Sequence, residues 1–150
     1  MPITRITDLS YTGEGIGRTE GKVVFLPYTL PGEVVEWKPV HSKKNFDRGL
    51  PLRILEPSPF RIEPACPFFT VCGGCQWQHL DFRRQAEEKE RLFRQIMSHG
   101  LKTDSLTLLP PLSSGQGFGY RHRLRLKTAF KGKRMELGFF NRSSRRLTPL

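Results

Sequence analysis

The sequence holds no run of about 18 consecutive apolar residues, so it contains no helical membrane span. Cysteine is scarce too, with three in 150 residues. The odd count argues against a closed disulfide framework. So does the start at Met1, Pro2, Ile3 and Thr4, which lacks the basic-then-apolar pattern of a secretory signal. A cytoplasmic chain is expected, with cysteines that are thiols or metal ligands. Acidic residues are few, 14 against 25 Lys and Arg, which leaves a net charge of +11. Hydrophobic residues make up 37% of the chain, and its length suits one domain or two small ones.

The charge is unevenly placed. Residues 1–59 carry 8 basic and 7 acidic side chains, whereas residues 60–150 carry 17 and 7. Residues 118–150 hold ten basic residues and one acid, Glu136. Such a local field suits nucleic acid, because Lys and Arg displace the counterions condensed on phosphates. An anionic membrane surface is the weaker match, since the segment lacks the apolar helical face of a surface-seeking helix.

The fold class expected is mainly β with one helix. Strands are read at Ile3–Leu9, Gly21–Leu26, Gly32–Val40 and Leu50–Leu55, rich in β-branched and aromatic residues, with Pro31 and Gly32 as a turn. About five short strands in under roughly 60 residues suggest a small closed barrel of the OB or related type. Gly13, Gly15 and Gly17 do not have dinucleotide-loop spacing, and no helix pattern follows them, so they are read as a turn. Four prolines between Glu56 and Pro67 make an extended connector and a domain boundary. Asp81 is placed to cap a helix over Phe82–Ser98 that stops at Gly100, with Phe82, Ala86, Leu92, Phe93, Ile96 and Met97 as its core face.

From Tyr120 to Thr128 the sequence alternates strictly, which predicts a strand. Arg121, Arg123, Arg125 and Lys127 would form a cationic ladder on one face, with His122 and Leu124 packed on the other. Residues 131–134 read as a hairpin turn into a partner strand over Met135–Phe140.

Cys66, Cys72 and Cys75 have the spacing C-x5-C-x2-C, with Gly73 and Gly74 letting the backbone turn between two thiols. Three thiolates so close point to a soft or borderline metal. Two readings stay open. His79, four residues after Cys75, completes a Cys3His set for tetrahedral zinc, and spacing alone leans that way. Alternatively, the cysteines hold an iron–sulfur cluster whose fourth ligand comes from elsewhere.

Several runs occur in a familiar order: GEGIGR at 13–18, GKVVF at 21–25, LPGE at 30–33, PSP at 57–59, CPFF at 66–69, CGGCQWQH at 72–79 and YR at 120–121. Together they resemble the N-terminal portion of bacterial RNA uracil-5-methyltransferases of the branch with a TRAM domain and an iron–sulfur cluster, the type acting on 23S ribosomal RNA. The resemblance implies a TRAM RNA-binding barrel over residues 1–57 and a cluster segment over 58–80. It further implies a helix and loop over 81–112 packing on a methyltransferase domain outside this chain, and an incomplete central β domain over 113–150. It implies that Cys66, Cys72 and Cys75 ligate a 4Fe-4S cluster whose fourth cysteine lies beyond residue 150, which displaces the zinc reading and its ligand His79.

By the same resemblance the chain is a fragment, and S-adenosylmethionine serves only the full-length enzyme. No catalytic residue is assigned, because no cysteine follows Cys75 and no doubly wound pattern with a glycine-rich loop is present. RNA, 23S rRNA by resemblance, is the expected partner, with no membrane or protein partner and a monomeric state. On the barrel, Lys43, Lys44 and Phe46, joined by Phe25, are candidates to hold a single strand by charge and stacking. Arg121, Arg123, Arg125 and Lys127 are candidates to hold phosphates.

Overall fold

The computed structural model describes residues 1–100, 107–113, 115–142 and 144–149. Five strands, β1 (Ile3–Leu9), β2 (Gly15–Thr19), β3 (Lys22–Leu26), β4 (Val34–Ser42) and β5 (Phe46–Glu56), close into a barrel in the order β1-β2-β3-β5-β4. The β3–β5 pair is parallel and the other pairs are antiparallel. Closure satisfies the strand edges that an open sheet of this size would expose. In β1 the burial follows the pleat, with Thr4 and Ile6 inside and Ile3, Arg5 and Thr7 outside. A register shift between Ile6 and Asp8 changes that parity, so Leu9 rather than Asp8 turns inward. Ile6, Val24, Leu26, Val35 and Trp37 make the core, with Ile54 packed against them.

Two sequence-based boundaries are corrected. The glycine-rich stretch is only partly a turn: Gly13 and Gly21 have φ of 81° and 80°, but Gly15 and Gly17 lie within β2. A Cβ at Gly15 would collide with Thr29 Oγ1, and one at Gly17 with the Arg5 carbonyl and Thr4 Oγ1, so these glycines serve close approach. The last barrel strand also begins at Phe46, not Leu50, because its first residues pair with β3 and close the barrel.

After the proline-rich connector, α1 (Phe82–Gly100) starts where Asp81 accepts hydrogen bonds from the N–H groups of Arg83 and Arg84, the expected cap. The expected core face is not buried. Leu92 is the one buried residue of this helix, while Phe93 and Ile96 are more than half exposed. Arg91 ties the helix to the barrel through Asp8, Nη2 to Oδ1 at 2.6 Å. No helix among the described residues is long and apolar enough to cross a membrane.

A second sheet, β6-β7-β8, comprises β6 (Lys127–Lys131), β7 (Arg134–Phe140) and β8 (Leu147–Pro149), with the expected hairpin turn between β6 and β7. The predicted ladder strand is shorter than its alternation suggests: residues 120–126 are not strand, and Arg121, His122, Arg123, Leu124 and Arg125 are exposed. The cause is a competing partner. In the register that pairs Lys131 with Arg134 and Lys127 with Gly138, Arg125 would face Phe140. The Phe140 carbonyl instead accepts the Gly73 N–H at 2.9 Å, and Cys72 bridges to Asn141. The cysteine loop thus occupies the edge that the ladder would need, and His122 is no core residue.

Candidate nucleic-acid interface

The β3–β5 register sets Phe25 opposite Arg48 and Val23 opposite Phe46. The Phe25 and Phe46 rings meet edge to face with centroids 5.8 Å apart. Lys43 Nζ stands 5.7 Å from the Phe46 centroid, and the Arg48 guanidinium 5.3 Å from that of Phe25. The sequence-based candidates Lys43, Phe46 and Phe25 therefore come together in one row, in which two adjacent rings are flanked by a cation at each end, while Lys44 is exposed beside them without joining the contacts. Such a row offers both elements of single-strand recognition, charge for the backbone and faces for bases. Arg48 escapes the sequence reading because its strand is expected to begin only at Leu50. With β5 beginning at Phe46, the strand period puts residues 46 and 48 on one face.

Arg48 also forms an ion pair with Glu14, Nη1 2.9 Å from both carboxylate oxygens, and Glu14 lies 3.4 Å from Arg142 Nη2. Arg142 in turn sits over the Tyr28 ring at 5.1 Å. Burial raises the Tyr28 pKa above its usual value, while Arg142 pulls the other way. One buried carboxylate thus links the barrel row to the β7–β8 turn. The ladder candidates Arg121, Arg123 and Arg125 lie in exposed coil, and only Lys127 is held on a strand.

The cysteine segment packs into the seam between barrel and sheet. Trp77 Nε1 donates to the Gly13 carbonyl at 3.3 Å, and the left-handed Gly13 leaves the space that the indole fills. Arg61 donates through Nε and Nη2 to the fully buried Glu33 carboxylate, at 2.5 and 2.8 Å. The backbone N–H groups of Leu30 and Ser58 also donate to Glu33, so the buried charge is fully partnered. His79 is buried near the rings of Phe69 and Tyr28, with centroids at 5.4 and 6.4 Å. Burial first, then the Arg61 charge, push its pKa down to about 4, so it is neutral at pH 7.

Cys66, Cys72 and Cys75 are free thiols, two half-buried and Cys75 exposed. Gly74 N–H donates to Cys72 Sγ at 3.4 Å, the kind of bond that tunes cluster thiolates. Among the described residues, no three His, Cys, Asp or Glu side chains are gathered to hold a metal ion. The donor chemistry of the three thiols fits a thiolate-held cluster, although they do not converge on one point here.

A family model for the TRAM domain matches residues 5–49, the stretch that forms most of the barrel. The chain is 40% identical over 144 residues to the 23S rRNA (uracil(1939)-C(5))-methyltransferase RlmD of Legionella pneumophila (strain Corby), covering 95% of this chain and 32% of that protein. It is 39% identical over 141 residues to the RlmD of Dechloromonas aromatica (strain RCB), covering 93% and 32%. The chain therefore spans about a third of the length of these curated relatives. The matched family model thus lies on the barrel strands that carry the cation and ring row. Residues 5–49 thus match the TRAM domain, and nearly the whole chain is similar to about a third of RlmD-type 23S rRNA (uracil(1939)-C(5))-methyltransferases.

Proposed function

We propose that this chain is the RNA-binding and cluster-bearing region of an S-adenosylmethionine-dependent methyltransferase acting on uracil C5 of 23S rRNA in the cytoplasm. The observation that carries this reading is the row of Lys43, Phe46, Phe25 and Arg48 on a TRAM barrel, in a chain whose similarity to RlmD runs through the cysteine segment. In the reaction proposed for the whole enzyme, a thiolate adds to C6 of uracil, C5 takes the methyl group from S-adenosylmethionine, which leaves as S-adenosylhomocysteine, and removal of the C5 proton by a base expels the thiolate from C6 and restores the 5,6 double bond. None of those roles falls on residues 1–150, which hold and orient the RNA as a monomer. Cys66, Cys72 and Cys75 supply three thiolates to a 4Fe-4S cluster, completed by a cysteine beyond residue 150, that fixes the cysteine loop against β7. Helix α1, with Phe93 and Ile96 exposed, packs on the methyltransferase domain.

The test is binding of residues 1–150 to a uridine-containing single strand copied from 23S rRNA, against a DNA strand of the same sequence. Tighter binding to RNA supports the proposal. Equal binding, or none, contradicts it.

A further inference from the structure

An open cleft of about 450 Å³ lies where barrel, cysteine segment and second sheet meet. Its lining draws on all three: Thr12 from the barrel loop, Gln76 beside Cys75, and Lys127, Phe139, Asn141 and Arg142 from the sheet. The volume falls in the range of small-ligand sites, roughly 300–1,000 Å³. The chemistry is mixed in a particular way. Lys127 and Arg142 are cations suited to a phosphate, Gln76 and Asn141 each offer an amide with donor and acceptor, and Phe139 adds an aromatic surface. A nucleotide presents the matching set: an anion, a base edge with donors and acceptors, and a π face.

The cleft is also joined to the barrel row. Glu14 binds Arg48 at 2.9 Å on the row side and Arg142 at 3.4 Å on the cleft side. Both guanidiniums are further placed by rings, Arg48 by Phe25 and Arg142 by Tyr28. Two cations fixed to one buried carboxylate are held in place before a ligand arrives, which lowers the ordering cost of binding. Asn141 is likewise fixed, its Oδ1 accepting from Thr148 Oγ1 and its backbone N–H bonding the Arg146 carbonyl at 2.8 Å.

We propose that this cleft takes one unstacked nucleotide of the RNA strand whose neighbouring nucleotides cross the Lys43–Arg48 row. The proposal rests on the RNA-binding reading above and adds to it a specific second subsite, with Gln76 and Asn141 reading the base edge and Lys127 and Arg142 holding the phosphate. Phosphate contacts position a strand, while the amides select among bases.

The experiment uses the full chain and a fluorescein-labelled single-stranded RNA of about 12 nucleotides, within the span of one OB-type barrel and its neighbour. Affinity is measured for wild type, for Gln76→Ala with Lys127→Gln in the cleft, and for Lys43→Gln with Arg48→Gln on the row. A 4-thiouridine version of the same RNA is cross-linked by light and the attached peptides identified. The cleft variant is expected to bind about tenfold more weakly, and cross-links to include the peptide spanning Phe139–Arg142. The Gln76 and Lys127 side chains are exposed, so these changes leave the fold intact, which circular dichroism checks. Unchanged affinity in the cleft variant with weakened binding in the row variant overturns the subsite and leaves the RNA-binding reading standing. Cross-links confined to barrel peptides also overturn it. Wild type that binds no RNA removes the reading beneath it and the subsite together.

Discussion

The Tyr28 hydroxyl donates to the Thr70 carbonyl at 3.0 Å, and both residues sit in left-handed backbone conformations, φ 62° and 76°. One belongs to the barrel and the other to the turn between Cys66 and Cys72. A β-branched residue in that region is strained by about 1–2 kcal/mol, so the cysteine loop is held against the barrel at a conformational cost.

Replacing Thr70 by Gly is therefore expected to stabilise the chain. The backbone carbonyl keeps its bond to Tyr28, and relief of strain exceeds the entropy cost of glycine by about 0.5–1 kcal/mol. Tyr28→Phe should do the reverse, losing about 1 kcal/mol with the hydrogen bond. Urea denaturation of the two variants checks both signs; a destabilised Thr70→Gly would show that the left-handed turn carries no strain.

Arg61 is the only side chain among the described residues that neutralises Glu33. Arg61→Ala leaves a buried carboxylate with two backbone donors alone, and a loss of about 3 kcal/mol is expected. The double variant Arg61→Met with Glu33→Leu removes both charges and should recover part of that loss. Equal losses in the single and double variants would mean that the charge pair is incidental to the seam.

His79 makes stability depend on pH. Its folded pKa of about 4 lies below the unfolded value near 6.5, so the unfolded state binds the extra proton between them. The contribution is complete above pH 6.5 and is lost as pH falls toward 4. The stability at stake over that pH range is about 3 kcal/mol. Thermal melts at pH 7 and pH 4.5, for wild type and His79→Phe, should differ more for wild type; parallel behaviour would place the imidazole in contact with water.

The cysteines are expected to act together. Anaerobic purification followed by iron, sulfide and zinc analysis should find iron and sulfide in wild type, diminished in Cys66→Ser, Cys72→Ser and Cys75→Ser and retained in His79→Ala. Zinc that disappears with His79→Ala would instead support the Cys3His set.

Much of the architecture is legible in the sequence because local rules act alone there. The Asp81 cap, the proline connector, the hairpin turn at residues 131–134 and most of the barrel follow from propensity and period. What is not legible depends on partners distant in sequence. The alternation from Tyr120 to Leu126 is a sound strand pattern, but Gly73 takes the carbonyl it would pair with. Gly15 and Gly17 look like turn residues until Thr29 and Arg5 approach them. Within the site, Lys43, Phe46 and Phe25 are recognisable from residue type. Glu14, Tyr28 and Arg142 are not, since only the folded chain brings them to one seam.

The measurement that bears most directly on the account is the salt dependence of single-stranded RNA affinity, for wild type and for Lys43→Gln, Lys44→Gln and Arg48→Gln combined. Each phosphate that the variant no longer neutralises should reduce the slope of log affinity against log salt by about 0.7. The account predicts a slope flatter by about 2 in the triple variant together with weaker binding at low salt. A wild-type slope retained in full would contradict it, placing the RNA on another face of the molecule.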